Sequence, residues 1–396
     1  MAAERVHDVL VVGGGNGGLS AAAHLRRRGS PDVGLIEPSE RHVYKPLQNY
    51  VGTGLASDDE LSRPQASLTP DGVEWHRTAA VAIDPARREV RCADGSVVRG
   101  RDLIIATGAV IDWRLLPGAA EALASGLAIT TYVDTELART RERIAGLSSG
   151  RAIFELRGQP VSGRETALKP LFIACDTWRA NGVLDAIEVI LVHDGDELHP
   201  VDAIAAEIRR HLDRYGIEAR PSTHVVALRG DEVDLAGPRG AIAERADLVH
   251  LHPPYRAPDV IGASGLDADG TGGFAAVDPE TLRHPAHPRV WVIGDVADIG
   301  DARTGGGLRE QVKIAVENIR RARAGEPLER YDGYTVAPIA TSRSSLSFGE
   351  YDRELSLRRS LPIPPRGEIR SSPLWYLLDR HALPQIYWHR ILKGRL

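Results

Sequence analysis

The chain has 396 residues, a net charge of −5 and two cysteines, Cys92 and Cys175. That length exceeds one small core and predicts two or three domains. The absence of a basic block argues against nucleic acid as a partner, two cysteines build neither a disulfide framework nor a metal cluster, and no metal is expected. No run of 18 apolar residues occurs, so no transmembrane helix is expected, and the chain enters a strand without a leader, which points to the cytoplasm.

Residues 9–12 are an apolar run suited to a buried parallel strand. They end in Gly13-x-Gly15-x-x-Gly18, and residues 19–28 then read as a helix stopped by Gly29. Gly13 permits the tight turn, Gly15 lets backbone N–H groups approach a pyrophosphate, and Gly18 lets helix and strand pack closely. Asn16 and Gly17 lie in the same turn, at the positive end of the helix. A second strand, residues 33–36, ends at Glu37, about 20 residues beyond the glycines, where the acceptor for a ribose hydroxyl belongs. Pro38 opens a long loop to Pro70 that contains Arg41, a candidate to balance pyrophosphate charge with Arg303, and His42, Tyr44, Lys45 and Pro46.

A small β-rich insertion follows, with strands at residues 80–83, which include Val81, and 89–92 around a turn at Asp94-Gly95. Residues 103–106 form the next core strand and lead into Ala106-Thr107-Gly108. Residues 120–250 look like a second α/β unit, with strands at 151–156 and 187–192 and an amphipathic helix at 201–215. Its first turn, residues 157–163, spaces its glycines wrongly, and Pro160 removes a phosphate-facing N–H, which disfavours a conventional NAD(P)H site. Residues 289–293 are an apolar strand ending in Gly294-Asp295, an acid placed to accept from a ribityl hydroxyl. The run Thr304-Gly305-Gly306-Gly307 opens a helix through Arg323, whose positive end would stabilise an anionic reduced flavin. Together these segments predict an α/β protein with two Rossmann-like, glutathione-reductase-type domains that binds FAD. Its parts are an FAD domain at residues 1–118 and 270–330, a second domain at 119–269, and a C-terminal α+β region at 331–396.

The chain resembles the sulfide:quinone oxidoreductases. The resemblance rests on residues 13–18, 37–42, 72–75, 103–108, Pro253-Pro254, 291–295, 331–335 and Tyr387-Trp388, which span almost the whole chain. It implies FAD on the first domain, with Val81, Pro46 and Pro338 among the cofactor and pocket residues. Family members oxidise sulfide with two cysteines flanking the flavin. The matching positions here fall on Gly163 and Ala337, neither of which has a thiol. Cys92 reads as structural, and Cys175 lies on the core stripe of its helix, three turns from Arg164. Loss of the two sulfurs predicts empty volume at Gly163, Ala337 and Pro338 for an organic substrate. Glu165, His252 and Tyr255 are the catalytic candidates beside it. Glu165 also reads as a first-turn carboxylate favoured by its helix dipole, and His252 as a packed loop residue. His42, Tyr44 and Lys45 are expected at the flavin edge.

In the tail, the aromatics around Trp375, Tyr387 and Trp388, with Arg380, Arg390, Lys393 and Arg395 and one opposing Asp379, suggest a weak peripheral membrane contact, a cover over the second domain or a homodimer face. The leading expectation is an FAD-dependent oxidoreductase acting on a quinone-like or aromatic small molecule. Sulfide oxidation by direct attack on flavin, a silent FAD-binding partner or sensor, and an NADH dehydrogenase are the other readings.

Overall fold

In the computed structural model, residues 5–161, 163–238, 240–268, 272–359 and 369–396 are described. Ser162 in the turn before Gly163, and the expected domain junction at 269–270, lie outside them. The first sheet has seven strands, in the order Val73–His76, Val33–Ile36, Arg5–Val12, Val97–Ile105, Glu89–Cys92 and Ala80–Asp84, with Val290–Val292 also paired to Val97–Ile105. On the side away from Arg5–Val12, Val97–Ile105 serves two partners. Its first residues run antiparallel to the Glu89–Cys92 strand, and its last three run parallel to Val290–Val292. The late segment of the chain thereby returns to the first sheet.

Register decides what the sheet displays. Val12 is level with Ile36 and with Ile105, and Ile105 is level with Val292. The next residues, Gly13, Glu37, Ala106 and Ile293, therefore line one carboxyl edge, which is where open α/β sheets bind ligands. Val9, Val11, Ile104 and Trp291 are fully buried beneath that edge. Helices Asn16–Arg27 and Gly305–Ala324 cover this face, and Leu308 packs on Gly17 at a distance of 3.1 Å from the position a Cβ would take there.

The second sheet is parallel throughout, in the order Ala128–Ile129, Leu248–His250, Gly150–Leu156, Ile187–His193 and Glu218–Arg220. Leu156 is level with His193, and Phe154 with His250. Its carboxyl edge carries residues 157–161, Gly163, Asp194 and His252. The helix expected from Arg164 is instead a 3-10 turn, Arg164–Ala167, followed by the α-helix Leu168–Ala180. Pro170 sits in the first turn of that helix, where a missing N–H costs nothing.

Two further stretches differ from the sequence reading, and the tail matches it. The loop at 38–70 holds paired strands Arg41–Val43 and Ser62–Pro64 and the short helices Gln48–Gly52 and Gln65–Leu68. An antiparallel meander, His224–Arg229, Glu232–Gly237 and Gly240–Arg245, was not anticipated. In the tail, the hairpin Thr335–Ser342 and Ser345–Tyr351 precedes helical turns from Pro373 to Ile391. Tyr387 and Trp388 are 2% exposed and belong to the first domain's core.

Candidate functional site

The glycine turn at the first carboxyl edge is built for a backbone-bound phosphate. Gly13 has φ +100°, and a Cβ there would lie 2.4 Å from the Ala106 carbonyl oxygen. A Cβ on Gly18 would lie 1.7 Å from the Gly13 carbonyl oxygen, so helix and turn are in backbone contact. Gly15 is the opposite case: its Cβ position meets nothing within 4 Å. Two glycines are thus required by packing and one faces open space at the start of the helix Asn16–Arg27. Glu37 receives the Gly14 N–H on Oε2 at 2.6 Å and the Ser39 N–H on Oε1 at 2.7 Å, which holds its carboxylate at the edge beside exposed Pro38.

Beside this turn, Thr107 has a buried Oγ1 with no hydrogen-bond partner, and Gly108 follows with φ +69°. Buried hydroxyls are rarely left unpaired, so this one is suited to a bound group. Gly294 has φ +77° and donates its N–H to Gln311 Oε1 at 2.8 Å, leaving Asp295 half-buried at the same edge. Thr304 caps the helix Gly305–Ala324 by accepting from Gly307 N–H at 3.1 Å. A Cβ on Gly305 would meet nothing within 4 Å, whereas one on Gly306 would lie 2.7 Å from Val336. Val81 is 47% exposed, and the strand register shifts between Ala80 and Ala82, so Val81 stands outside the ladder. The cradle, the unpaired hydroxyl and the two helix N-termini fit a flavin dinucleotide.

Other expected flavin contacts are engaged elsewhere. Arg41 donates to Ser62 Oγ at 2.7 Å and pairs with Asp134 at 3.3 Å, on the side of the second domain. Arg303 is 4% exposed, donates to the Ala297 carbonyl at 3.1 Å and stacks on Phe274 at 4.4 Å. His42 is buried, with Nε2 2.5 Å from the Tyr387 hydroxyl, and burial lowers its pKa. Tyr44 packs on Tyr387 at 4.3 Å. The tail has therefore claimed His42 and Tyr44, while Lys45 and Pro46 are exposed in the turn Lys45–Leu47.

The second half of the site converges on Gly163. Its N–H donates to the Arg303 carbonyl at 2.9 Å, which joins the second domain to the entry of the Gly305 helix. Thr166 Oγ1 donates to the Gly163 carbonyl at 2.6 Å and lies 3.2 Å from the Tyr132 hydroxyl. Tyr132 stacks on His252 at 4.8 Å and meets Tyr255 at 6.5 Å. Gly163, His252 and Tyr255 are thus linked through Tyr132, a residue the sequence reading missed.

His252 is fully buried and neither ring nitrogen has a partner. Burial, then His250 and the nearby arginines, push its pKa well below the usual range, so the ring stays neutral. A neutral imidazole of that kind takes part in a hydrogen bond but is a poor general base at pH 7. Burial, with Tyr132 and Asp295, raises the Tyr255 phenol well above its usual pKa, so it keeps its proton. Glu165 lies in the 3-10 turn Arg164–Ala167. It is 5% exposed, 3.5 Å from His199 Nε2 and 3.8 Å from Arg164. Burial and Arg164 lower the His199 pKa to about 3, so this contact is not an ion pair. Ala337 does not open a pocket as expected: it is 1% exposed and packed in the second core, while Pro338 is half-buried.

Neither cysteine lies in a setting that activates a thiol. Cys175 is fully buried in the second core and Cys92 is 2% exposed beneath the insertion, and burial raises both pKa values. Lys169, on the helix that follows Gly163, is fully buried against Asp379 at 2.7 Å. Tyr50 also donates to Asp379, at 2.6 Å. Asp379 and Arg380 are both buried, the latter paired with Glu60 at 2.7 and 2.9 Å. Of the tail residues expected at a surface, Asp379, Arg380, Tyr387 and Trp388 are buried, whereas Arg390 and Arg395 are exposed; Leu374 and Leu377 are exposed apolar residues of the tail helix. Among the described residues no helix is long and apolar enough to cross a membrane.

Two α/β domains, one on a mixed sheet and one on a parallel sheet, with a phosphate cradle on the first and a helix N-terminus beside it, define an FAD-dependent oxidoreductase. The pyridine nucleotide-disulphide oxidoreductase family model matches residues 7–322, and the chain belongs to that family. It is 29% identical over 398 residues to the mitochondrial sulfide:quinone oxidoreductase of Dictyostelium discoideum, covering 99% of this chain and 87% of that one. It is 24% identical over 381 residues to the type II NADH:quinone oxidoreductase Ndh of Mycobacterium tuberculosis, covering 85% and 78%. The sulfide:quinone oxidoreductase structure from Aquifex aeolicus superposes with a TM-score of 0.83 at 17% identity, covering 98% of this chain and 92% of that one.

Proposed function

We propose that this chain moves electrons between FAD and a small quinone-like or aromatic substrate without redox cysteines. The carrying observation is the state of the thiols: the chain has two, and both are buried in apolar cores with raised pKa values. A thiolate is the reactive form, and neither site favours one. The pyrophosphate would lie on Gly15 and the positive end of its helix, with Asn16 and Gly17 in that first turn, the adenosine ribose on Glu37, the adenine beside Val81, and the ribityl chain toward Thr107 and Asp295. The N-terminus of the Gly305 helix would face the flavin ring. Tyr255 donates a hydrogen bond and His252 supplies a neutral acceptor or donor on the Gly163 side, where the substrate would approach. Glu165 acts as a positioning residue through Arg164. A quinone substrate fits a peripheral membrane contact, for which Leu374 and Leu377 are the apolar pair.

A second reading is sulfide or persulfide oxidation by direct attack on the flavin. The 29% identity to a sulfide:quinone oxidoreductase over 99% of the chain favours it. Anaerobic titration of the flavin-loaded protein with sulfide separates the two. Unchanged flavin bands, with reduced flavin reoxidised by a short-chain quinone, support the first reading. Bleaching by sulfide supports the second.

A further inference from the structure

Away from the flavin cradle, the first sheet brings together three metal-ligating side chains from strands that are not neighbours. Among the described residues, His7, Glu74 and His76 are the one group of three whose ligand atoms all lie within 4.8 Å of one another. His7 comes from Arg5–Val12, whereas Glu74 and His76 come from Val73–His76, with Val33–Ile36 between them. Strands two apart are separated by about 9.5 Å, too far for side chains that stand straight up from the sheet to meet.

The intervening glycine resolves this. Gly34 pairs with Glu74, and a Cβ on it would lie 2.4 Å from the His7 ring. With no side chain there, His7 lies across the middle strand and brings Nε2 to 2.9 Å from His76 Nε2. The other nitrogen of His7, Nδ1, lies 2.7 Å from Asp32 Oδ1. A carboxylate accepts only, so Nδ1 carries a proton, and Nε2 is the nitrogen that faces His76. A carboxylate fixing the tautomer of a ligating histidine is a recurrent outer-shell arrangement of metal sites. Two nitrogens bound to one zinc ion stand about 3.3 Å apart, given bonds of 2.0–2.1 Å and tetrahedral angles, close to the separation seen.

We propose that His7 Nε2, His76 Nε2 and the Glu74 carboxylate bind a zinc-class divalent cation, with Asp32 as the positioning residue and water as the fourth ligand. Two imidazoles and one carboxylate suit zinc and disfavour magnesium and calcium, which take oxygen ligands. Glu74 and His76 are accessible to solvent from the edge strand, while His7 is fully enclosed. The cation would clamp the edge strand Val73–His76 to Arg5–Val12 and so stabilise the sheet that carries the flavin cradle. This site is independent of the proposed electron transfer.

The test is direct binding to the full-length, flavin-loaded protein after chelator treatment and dialysis. Zinc is measured by equilibrium dialysis, and cobalt(II) by its visible absorption. The proposal expects one equivalent, a tetrahedral cobalt spectrum and no competition from millimolar magnesium. His76→Gln and Glu74→Gln should each weaken binding at least tenfold, and Asp32→Asn about tenfold or more, without loss of bound flavin. No saturable zinc binding to the parent protein overturns the proposal. So does binding that His76→Gln leaves unchanged, in which case the two rings form only a hydrogen-bonded pair.

Discussion

Lys169 and Asp379, 210 positions apart in the chain, form a buried ion pair at 2.7 Å in which neither residue is more than 8% exposed. Lys169 lies at the start of the helix that follows Gly163, and Asp379 lies on the tail. Tyr50 completes the group, donating to Asp379 while its ring lies 4.9 Å from the Lys169 ammonium. First domain, second domain and tail thus meet at one carboxylate. Removing one charge leaves the other buried and unpaired, which costs about 3–5 kcal/mol. Lys169→Met should lower the unfolding midpoint strongly. Lys169→Met combined with Asp379→Leu should recover much of the loss. Denaturant unfolding of the two variants checks this, and a double variant no better than the single one would contradict it.

Gly15 and Gly18 should fail differently. Gly15→Val places its side chain in open space where the pyrophosphate would lie, so the protein should fold but lose its yellow colour. Gly18→Ala forces a Cβ into the Gly13 carbonyl, so the fold itself should be destabilised. Far-UV circular dichroism and flavin absorbance, read together on both variants, distinguish these outcomes.

Thr107 carries an unpaired buried hydroxyl that a bound flavin would satisfy. Thr107→Val should leave the flavin-free protein as stable as the parent or slightly more so. FAD affinity should fall by about tenfold, the worth of one hydrogen bond near 1.4 kcal/mol. Fluorescence titration of the flavin-free protein with FAD gives the Kd.

Glu60 supplies a pH dependence. Two hydrogen bonds from Arg380 hold its carboxyl down to about 2. Its folded pKa is depressed, so its stabilising contribution is present above pH 4.5 and is lost as pH falls toward 2. The Glu60 side chain is 38% exposed, and solvent screening limits the effect to about 1 kcal/mol. Arg380→Met should move the acid-unfolding midpoint toward neutral pH and leave stability at pH 7 less dependent on Glu60. An unchanged acid limb would contradict the pairing.

The first carboxyl edge was legible because three local signals coincide there: an apolar strand, glycines at fixed spacing, and an acid at the end of the next strand. Strand Val33–Ile36 was placed to the residue. Asp194 shows that the same signal was present in the second domain and was passed over. It follows the strand Ile187–His193 and accepts the Gly158 N–H at 2.6 Å, as Glu37 does for Gly14. The short elements between 38 and 70 were not legible, because they are held by distant contacts such as His42 with Tyr387. The meander was hidden because its last strand, Gly240–Arg245, is almost wholly exposed and has no buried face to betray a period of two. Burial of Lys169 and Asp379 depends on their being partners, which neither residue's neighbours reveal.

Electrons are proposed to pass through the flavin without help from a thiol. Cys92→Ala with Cys175→Ala tests it most directly, with the rate at which a short-chain quinone reoxidises the reduced flavin measured in stopped flow against the parent. The core substitutions should lower the unfolding temperature modestly. The reoxidation rate should stay within about twofold of the parent, less than about 0.5 kcal/mol in barrier. A fall of about a hundredfold or more, in a variant that still binds FAD, would mean that a cysteine takes part.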